Sequence, residues 1–272
     1  MFRLLTVTAT TSLYLLLIGS GIVGFSAVPV RAENITIVGT GDGMAILRSI
    51  GTAFSTAHPG ITIVVPDSIG SSGGIKAVGY DKFRIGRVAR TIKESEKPFG
   101  LTYIPFAKVA AVFFVNKSVG VTNLTTPDVL NIFSGRTRNW QDVGGVNGKI
   151  RVVRREEGDS TLSVLRQTLT GFSDIAFLSK SKVTTTTQQT LKVISKTTGA
   201  IGFGPYPEAR QAGLKIVTID SRLPTSKEYP SFTTLALILK EKNNTGSIRT
   251  FINFLTSSAG QKAIRRANAV PY

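Results

Sequence analysis

Two long apolar runs constrain this 272-residue chain more than any other feature. Residues 104–115 close on Val109-Ala110-Ala111-Val112-Phe113-Phe114-Val115, and residues 232–239 form a second such run near the other end. Nearly all-apolar stretches suit strands buried on both faces, whereas strands wet on one face alternate. A chain that leaves one lobe and returns through two such strands has hinges where it crosses.

The remainder alternates between strand-like and helix-like stretches. Residues 35–38 enter the turn Gly39-Thr40-Gly41-Asp42-Gly43, after which Leu47, Ile50 and Phe54 share one helical face until His58-Pro59-Gly60 ends it. Ile61-Thr62-Ile63-Val64-Val65 is a β-branched strand, followed by Ser71-Ser72-Gly73-Gly74 and a short helix expected from Ile75. Further on the pattern predicts a helix over 126–133, a turn at Asn139-Trp140, a strand over 150–153 and a helix carrying Leu162, Leu165 and Leu169. A compact strand, Gly199-Ala200-Ile201-Gly202-Phe203, follows, and two terminal helices come after the second long run. Strands alternating with helices specify an α/β fold with mostly parallel sheets.

The first residues, Met1-Phe2-Arg3, precede an apolar stretch over 4–28, and Val30-Arg31-Ala32 precedes Glu33. A basic start, an apolar middle and small residues before a cut after Ala32 make residues 1–32 a secretory signal peptide. The stretch is also long enough to span a bilayer, so an uncleaved anchor is the other reading. The chain has no Cys, which removes disulfides, thiolate chemistry and the lipidated Cys that tethers an exported receptor. The mature product is therefore expected free in a periplasm.

Lys plus Arg 33 against Asp plus Glu 16 gives a net charge of +17, or +15 once Arg3 and Arg31 leave with the signal. Such a chain gathers near polyanions at low salt. Its cations are scattered, with no aromatics interleaved among them as a base-stacking platform requires, so nucleic-acid binding is not the expected function. The field suits steering of a small anion, or adhesion to an anionic surface.

Three turns rich in glycine and side-chain oxygens each sit between a strand and a helix: Gly39-Thr40-Gly41-Asp42-Gly43, Ser71-Ser72-Gly73-Gly74 and Gly158-Asp159-Ser160-Thr161. In an open α/β sheet the crevice beyond the strand carboxyl ends binds ligands, and helix N-termini there offer free N–H groups to an oxyanion. Any one of these turns alone reads as a plain N-cap; their combination points to a site. Arg155, three residues before Gly158, can set a guanidinium fork over the same place. Gly158-Asp159-Ser160 also matches a serine-hydrolase nucleophile turn, but the only His is His58, beside a Pro at a helix end, and no Asp-x-x-His follows. No enzyme activity, cofactor or metal site is expected from this inventory.

The central block runs Asn123-Leu124-Thr125-Thr126-Pro127-Asp128-Val129-Leu130-Asn131-Ile132-Phe133-Ser134-Gly135 and on through Asn139-Trp140-Gln141-Asp142-Val143-Gly144-Gly145 to Arg155-Glu156-Glu157-Gly158-Asp159-Ser160-Thr161. It resembles the "IFSGK…NWxDVGG" segment and following turn of the periplasmic phosphate-binding proteins of ABC importers. Gly70-Ser71-Ser72-Gly73-Gly74-Ile75-Lys76 and Ser258-Ala259-Gly260-Gln261-Lys262 are similar too. The resemblance implies a two-lobed type II binding-protein fold with its ligand cleft between lobes formed by 33–107 plus 226–272 and by 108–225. It implies ligand contacts from Thr40, Gly41, Asp42, Gly43, Ser71, Ser72, Gly73, Arg155, Asp159, Ser160 and Thr161. It also implies a monomeric receptor that hands phosphate to an ABC permease in the inner membrane.

Two positions depart from the family pattern. Arg84 stands where an "Asp-Ile-Gly-x-x-x-Arg" stretch has Asp, and Asp159 stands where the family turn has Ser. As a compensated swap, Asp159 would take the proton of bound phosphate while Arg84 added a charge-assisted bond. A fully deprotonated anion such as sulfate or molybdate has no proton to share, so phosphate leads. The alternatives are a receptor for another oxyanion, a phosphate sensor, or a basic exported adhesion or scavenging protein.

Overall fold

The computed structural model describes residues 32–226 and 228–272; the expected signal peptide lies outside the described residues except for Ala32. No helix among the described residues is long and apolar enough to cross a membrane. The first strand, β1 (Glu33–Gly39), leads into α1 (Met44–Ala57) and then β2 (Ile61–Val64), which pairs with β1 in parallel. Next come α2 (Gly70–Gly79) and β3 (Ile85–Val88), which lies parallel to β1 on its other side. The helix expected from Ile75 thus begins at Gly70, so Ser71 and Ser72 are in its first turn.

The first long apolar run is β4 (Thr102–Val115). The chain continues through β5 (Asn123–Leu124), α3 (Thr126–Ser134), β6 (Arg151–Arg155) and α4 (Ser160–Thr168). Then follow β7 (Lys182–Thr184), α5 (Thr187–Lys196), β8 (Ala200–Pro205), α6 (Tyr206–Gln211) and β9 (Lys215–Ile219). The second long run is β10 (Phe232–Leu239), and α7 (Gly246–Thr256), α8 (Ser258–Arg266) and β11 (Val270–Pro271) close the chain.

The main path of the sheet runs β2-β1-β3-β10-β4-β8-β6-β7. Pairing is mixed, not mostly parallel. β10 is antiparallel to both β3 and β4, and β4 is antiparallel to β8 and β9. β4 and β10 run in opposite directions, and an α/β pattern read locally does not show strand direction.

The buried apolar side chains gather in two large cores. One joins Ile37, Leu47, Ile50 and Phe54 to Leu235, Leu237, Phe251 and Ile264, with Phe54 and Phe251 edge to face at 5.1 Å. The other is aromatic, with Phe113, Phe133, Phe172 and Phe203 in mutual edge or tilted contact. β4 feeds both: its first part pairs with β10, and from Ala111 it pairs with β8. Trp140, the aromatic of the Asn139-Trp140 turn, is buried in the second core and donates its indole N–H to Gly199 O at 3.0 Å. That segment is therefore a structural clasp between the turn and the start of β8.

Candidate functional site

The carboxyl ends of β1, β6 and β7 and the first turn of α2 converge on a cavity of about 220 Å³. Close packing brings them there. Gly39 has φ +138°, and a Cβ on it would stand 2.0 Å from Arg87 O, while a Cβ on Gly74 would stand 2.8 Å from Gly39 Cα. Glycine at both positions lets α2 press against the end of β1 and aims the first turn of α2 into the cavity.

Thr40, Ser71, Ser72, Gly73, Arg155, Asp159 and Ser160 line this cavity, together with Thr185 and Gly158. Ser71 Oγ accepts from Ala89 N at 3.2 Å and Ser72 Oγ accepts from Arg90 Nη2 at 2.8 Å, so both hydroxyl hydrogens stay available. The Arg90 guanidinium is also paired with Glu96 at 2.7 Å.

Opposite them, Asp159 is the N-cap of α4, accepting from Leu162 N at 2.9 Å, and its other oxygen lies 2.8 Å from Arg155 Nη2. Both side chains of this pair are buried. Burial pushes the Asp159 carboxyl up from the ordinary carboxylate range; the Arg155 charge opposes this and the Asp42 charge adds to it. Arg155 Nη1 donates to Thr187 Oγ1 at 3.1 Å and Nη2 to Thr185 O at 3.2 Å, while its Nε is buried without a partner.

Asp42 lies just behind. Its carboxylate accepts from Ser160 Oγ at 3.1 Å, Thr161 Oγ1 at 2.9 Å and Thr187 Oγ1 at 2.9 Å. These hydroxyls are supplied from the far side of the sheet to a residue of the first turn, so Asp42 ties the two regions together. Gly41 makes room for the contact, since a Cβ there would be 2.8 Å from Thr187 Oγ1. Gly43, at φ +81°, caps α1 beside Leu235.

Arg84 is not brought to this cavity. It precedes β3, whose opposite end leads to the site, so its side chain is half-exposed and pairs with Glu33 at 3.5 Å. The cations that β3 and its extension send inward are Arg90 and Arg87. Arg87 is 1% exposed and donates to Thr40 O at 2.6 Å, to Pro66 O at 2.7 Å and to Ile37 O, holding the first turn from beneath. Burial lowers its pKa to about 10, which leaves it cationic at neutral pH.

Two further residues were not expected from sequence. Thr187 opens α5 and joins Arg155 to Asp42. Glu208, on α6, accepts from Ala45 N at 3.2 Å in the first turn of α1, while its Oε2 is buried without a partner. Burial, reinforced by Asp42, pushes its pKa up to about 8. The lone His58 is part of the first core's edge, stacked on Phe54 at 4.4 Å.

A cavity at converging strand ends, with helix N-termini, serine hydroxyls and a buried guanidinium turned into it, defines a cleft-binding α/β protein. The chain belongs to the PBP superfamily, whose domain profile matches residues 26–259. Among its relatives, the phosphate-binding protein PstS of Borreliella burgdorferi is 27% identical over 216 residues, covering 75% of this chain and 77% of the relative. The PstS of Bacillus subtilis is 26% identical over 239 residues, covering 85% and 78%. A chain from Clostridium perfringens, assigned as a phosphate ABC transporter substrate-binding protein and solved with bound phosphate, superposes with a TM-score of 0.79. It is 25% identical, and the match covers 88% of this chain and 100% of that one. An ABC-type phosphate transport receptor from Vibrio cholerae shares the fold at a TM-score of 0.63 and 24% identity, covering 88% and 100%.

Proposed function

We propose that this chain is an exported, non-enzymatic receptor that captures phosphate in the cavity between its two cores and delivers it to an ABC permease. The observation that carries this is Arg155, a buried guanidinium whose Nε has no partner, set where the first turns of α2 and α4 meet. An oxyanion there would take the Nε hydrogen, the hydroxyls of Ser71 and Ser72 and the free N–H groups of both helix starts. The relatives named as phosphate-binding proteins support the same choice of ligand.

The charge balance favours an anion that carries a proton. Arg155 and Arg87 supply two positive charges; Arg90 is spent on Glu96. Asp42, Asp159 and the exposed Glu156 of the cavity wall oppose them, so a fully ionised dianion meets carboxylate repulsion that a protonated one relieves by donating to a carboxylate. Phosphate retains a proton at neutral pH and sulfate does not.

In this reading residues 33–107 with 226–272 and residues 108–225 are lobes that close on the ligand about β4 and β10. Closure is a population shift toward the state the ligand favours. The protein works as a monomer in the periplasm after its signal is cut. Titration calorimetry of the mature chain, unfolded and refolded to strip ligand, tests the assignment. Stoichiometric phosphate binding, at least tenfold tighter than sulfate or molybdate, is expected. Absence of heat with all three anions refutes it.

A further inference from the structure

A second cavity lies away from the cleft. β6 and β7 run in parallel toward the cleft, where they end at Arg155 and Thr184. At their opposite ends is a hollow of about 590 Å³, lined by Arg138, Lys149, Arg151, Lys180 and Lys182. The five residues from Arg151 to Arg155 span about 13 Å of strand, and the two sites share elements but no lining side chains.

Two features set this hollow apart from an ordinary basic surface. Its lining has five cations and no carboxylate, and among the described residues none of the five is in an ion pair. Its floor is apolar, made by Ile150, Val152, Leu178 and Val193. Arg138 and Arg151 are each anchored through one nitrogen, to Gly135 O at 2.9 Å and Thr198 O at 2.8 Å, which leaves the rest of each fork free. The cations are exposed, and like charges gathered around one hollow repel unless a counter-charge joins them.

A single phosphate cannot engage five cations or cover an apolar floor. An anion of three or four charges attached to an organic body does both, and the volume falls within the usual range for small-molecule sites. We propose that this hollow is a second binding site, independent of the cleft, for a soluble organic polyphosphate. The polyphosphate chain lies along the Lys149, Lys180 and Lys182 rim with the guanidinia of Arg138 and Arg151, and the organic body rests on the aliphatic floor.

The test is calorimetry on the mature chain with the cleft kept full by excess inorganic phosphate, using ATP and inorganic tripolyphosphate as probes at physiological salt. ATP is expected to bind one to one despite the phosphate, at least fivefold tighter than tripolyphosphate. Lys180→Glu with Lys182→Glu should weaken ATP at least tenfold while leaving phosphate binding in the cleft, which also reports correct folding, unchanged. No ATP binding at millimolar concentration overturns the proposal, as does competition by phosphate or indifference to the double substitution. Equal affinity for tripolyphosphate overturns the role of the apolar floor. Vesicles containing phosphatidylglycerol form a separate arm: capture by vesicles that is lost in the double variant, without ATP binding, assigns the hollow to a membrane surface instead.

Discussion

The cleft and the outer hollow sit at opposite ends of the same two strands and treat charge in opposite ways. At the carboxyl ends of β6 and β7, Arg155 is buried, 2.8 Å from Asp159 and bonded to Thr187, which in turn holds Asp42. At the amino ends Lys149, Arg151, Lys180 and Lys182 are exposed and, among the described residues, form no ion pair. A buried charge must be matched because leaving it bare costs several kcal/mol, whereas an exposed one is solvated and screened. The cleft can therefore distinguish anions by their protons and hydrogen bonds; the hollow can count little more than charge and apolar contact.

Removing one cation from each end is the sharpest way to break the comparison. Arg155→Ala strips the ligand of its buried fork and leaves Asp159 without its cation, so phosphate affinity should fall at least about a hundredfold. Lys182→Ala should change it less than about twofold. Calorimetry decides: equal losses in both would mean that the overall field, not the buried fork, holds the anion. Salt gives the next largest contrast. Between 50 and 500 mM NaCl, phosphate affinity in the cleft should move only a few-fold, whereas ATP affinity at the hollow should drop more than about tenfold.

Selectivity should respond only at the cleft. Asp42 accepts three hydroxyl bonds, and an amide in its place keeps one acceptor oxygen but removes the negative charge. Asp42→Asn should raise sulfate affinity relative to phosphate by about tenfold, as measured by competition of the two anions. An unchanged ratio would place the discriminating carboxylate at Asp159 alone.

How much of this was legible depended on whether a signal was local. β4 and β10 announced themselves through nearly all-apolar runs, and α1 through Leu47, Ile50 and Phe54 on one face. The three turns were visible because glycine and side-chain oxygens cluster there. The direction of β10 was not, since antiparallel and parallel strands carry the same apolar run when both faces are buried. The start of α2 was hidden by Gly73 and Gly74, poor helix formers kept because Gly74 lies against Gly39. Thr187 belongs to a run of four threonines with strand-like composition, and only the fold brings it to Asp42, 145 positions away. Arg84 failed for a related reason: a matching position in a motif does not say at which end of the strand its side chain emerges.

Glu208 is the residue sequence reading could least have found, because an acid after Pro207 in a first turn reads as support for its own helix. It instead reaches the first turn of α1, fully buried, and the pH dependence of stability follows from that. Its folded pKa, about 8, is raised above the ordinary glutamate value of 4.5. Between those values the folded chain holds a proton that the unfolded chain has released, so stability is full at low pH and declines as pH rises toward 8. The decline can reach about 1.4 kcal/mol per pH unit, and about 1 kcal/mol between pH 6 and pH 7 is expected from urea unfolding. Glu208→Gln keeps an acceptor for Ala45 N but cannot ionise, so it should reduce that slope to the contribution of Asp159, whose buried carboxyl is raised in the same way. Lys180→Gln in the hollow should leave the slope as it is, because neither buried acid owes its shift to Lys180. If Glu208→Gln unfolds with the same pH slope as the parent, the buried acid that titrates is Asp159, and the proton balance of the cleft rests on the residue beside Arg155 alone.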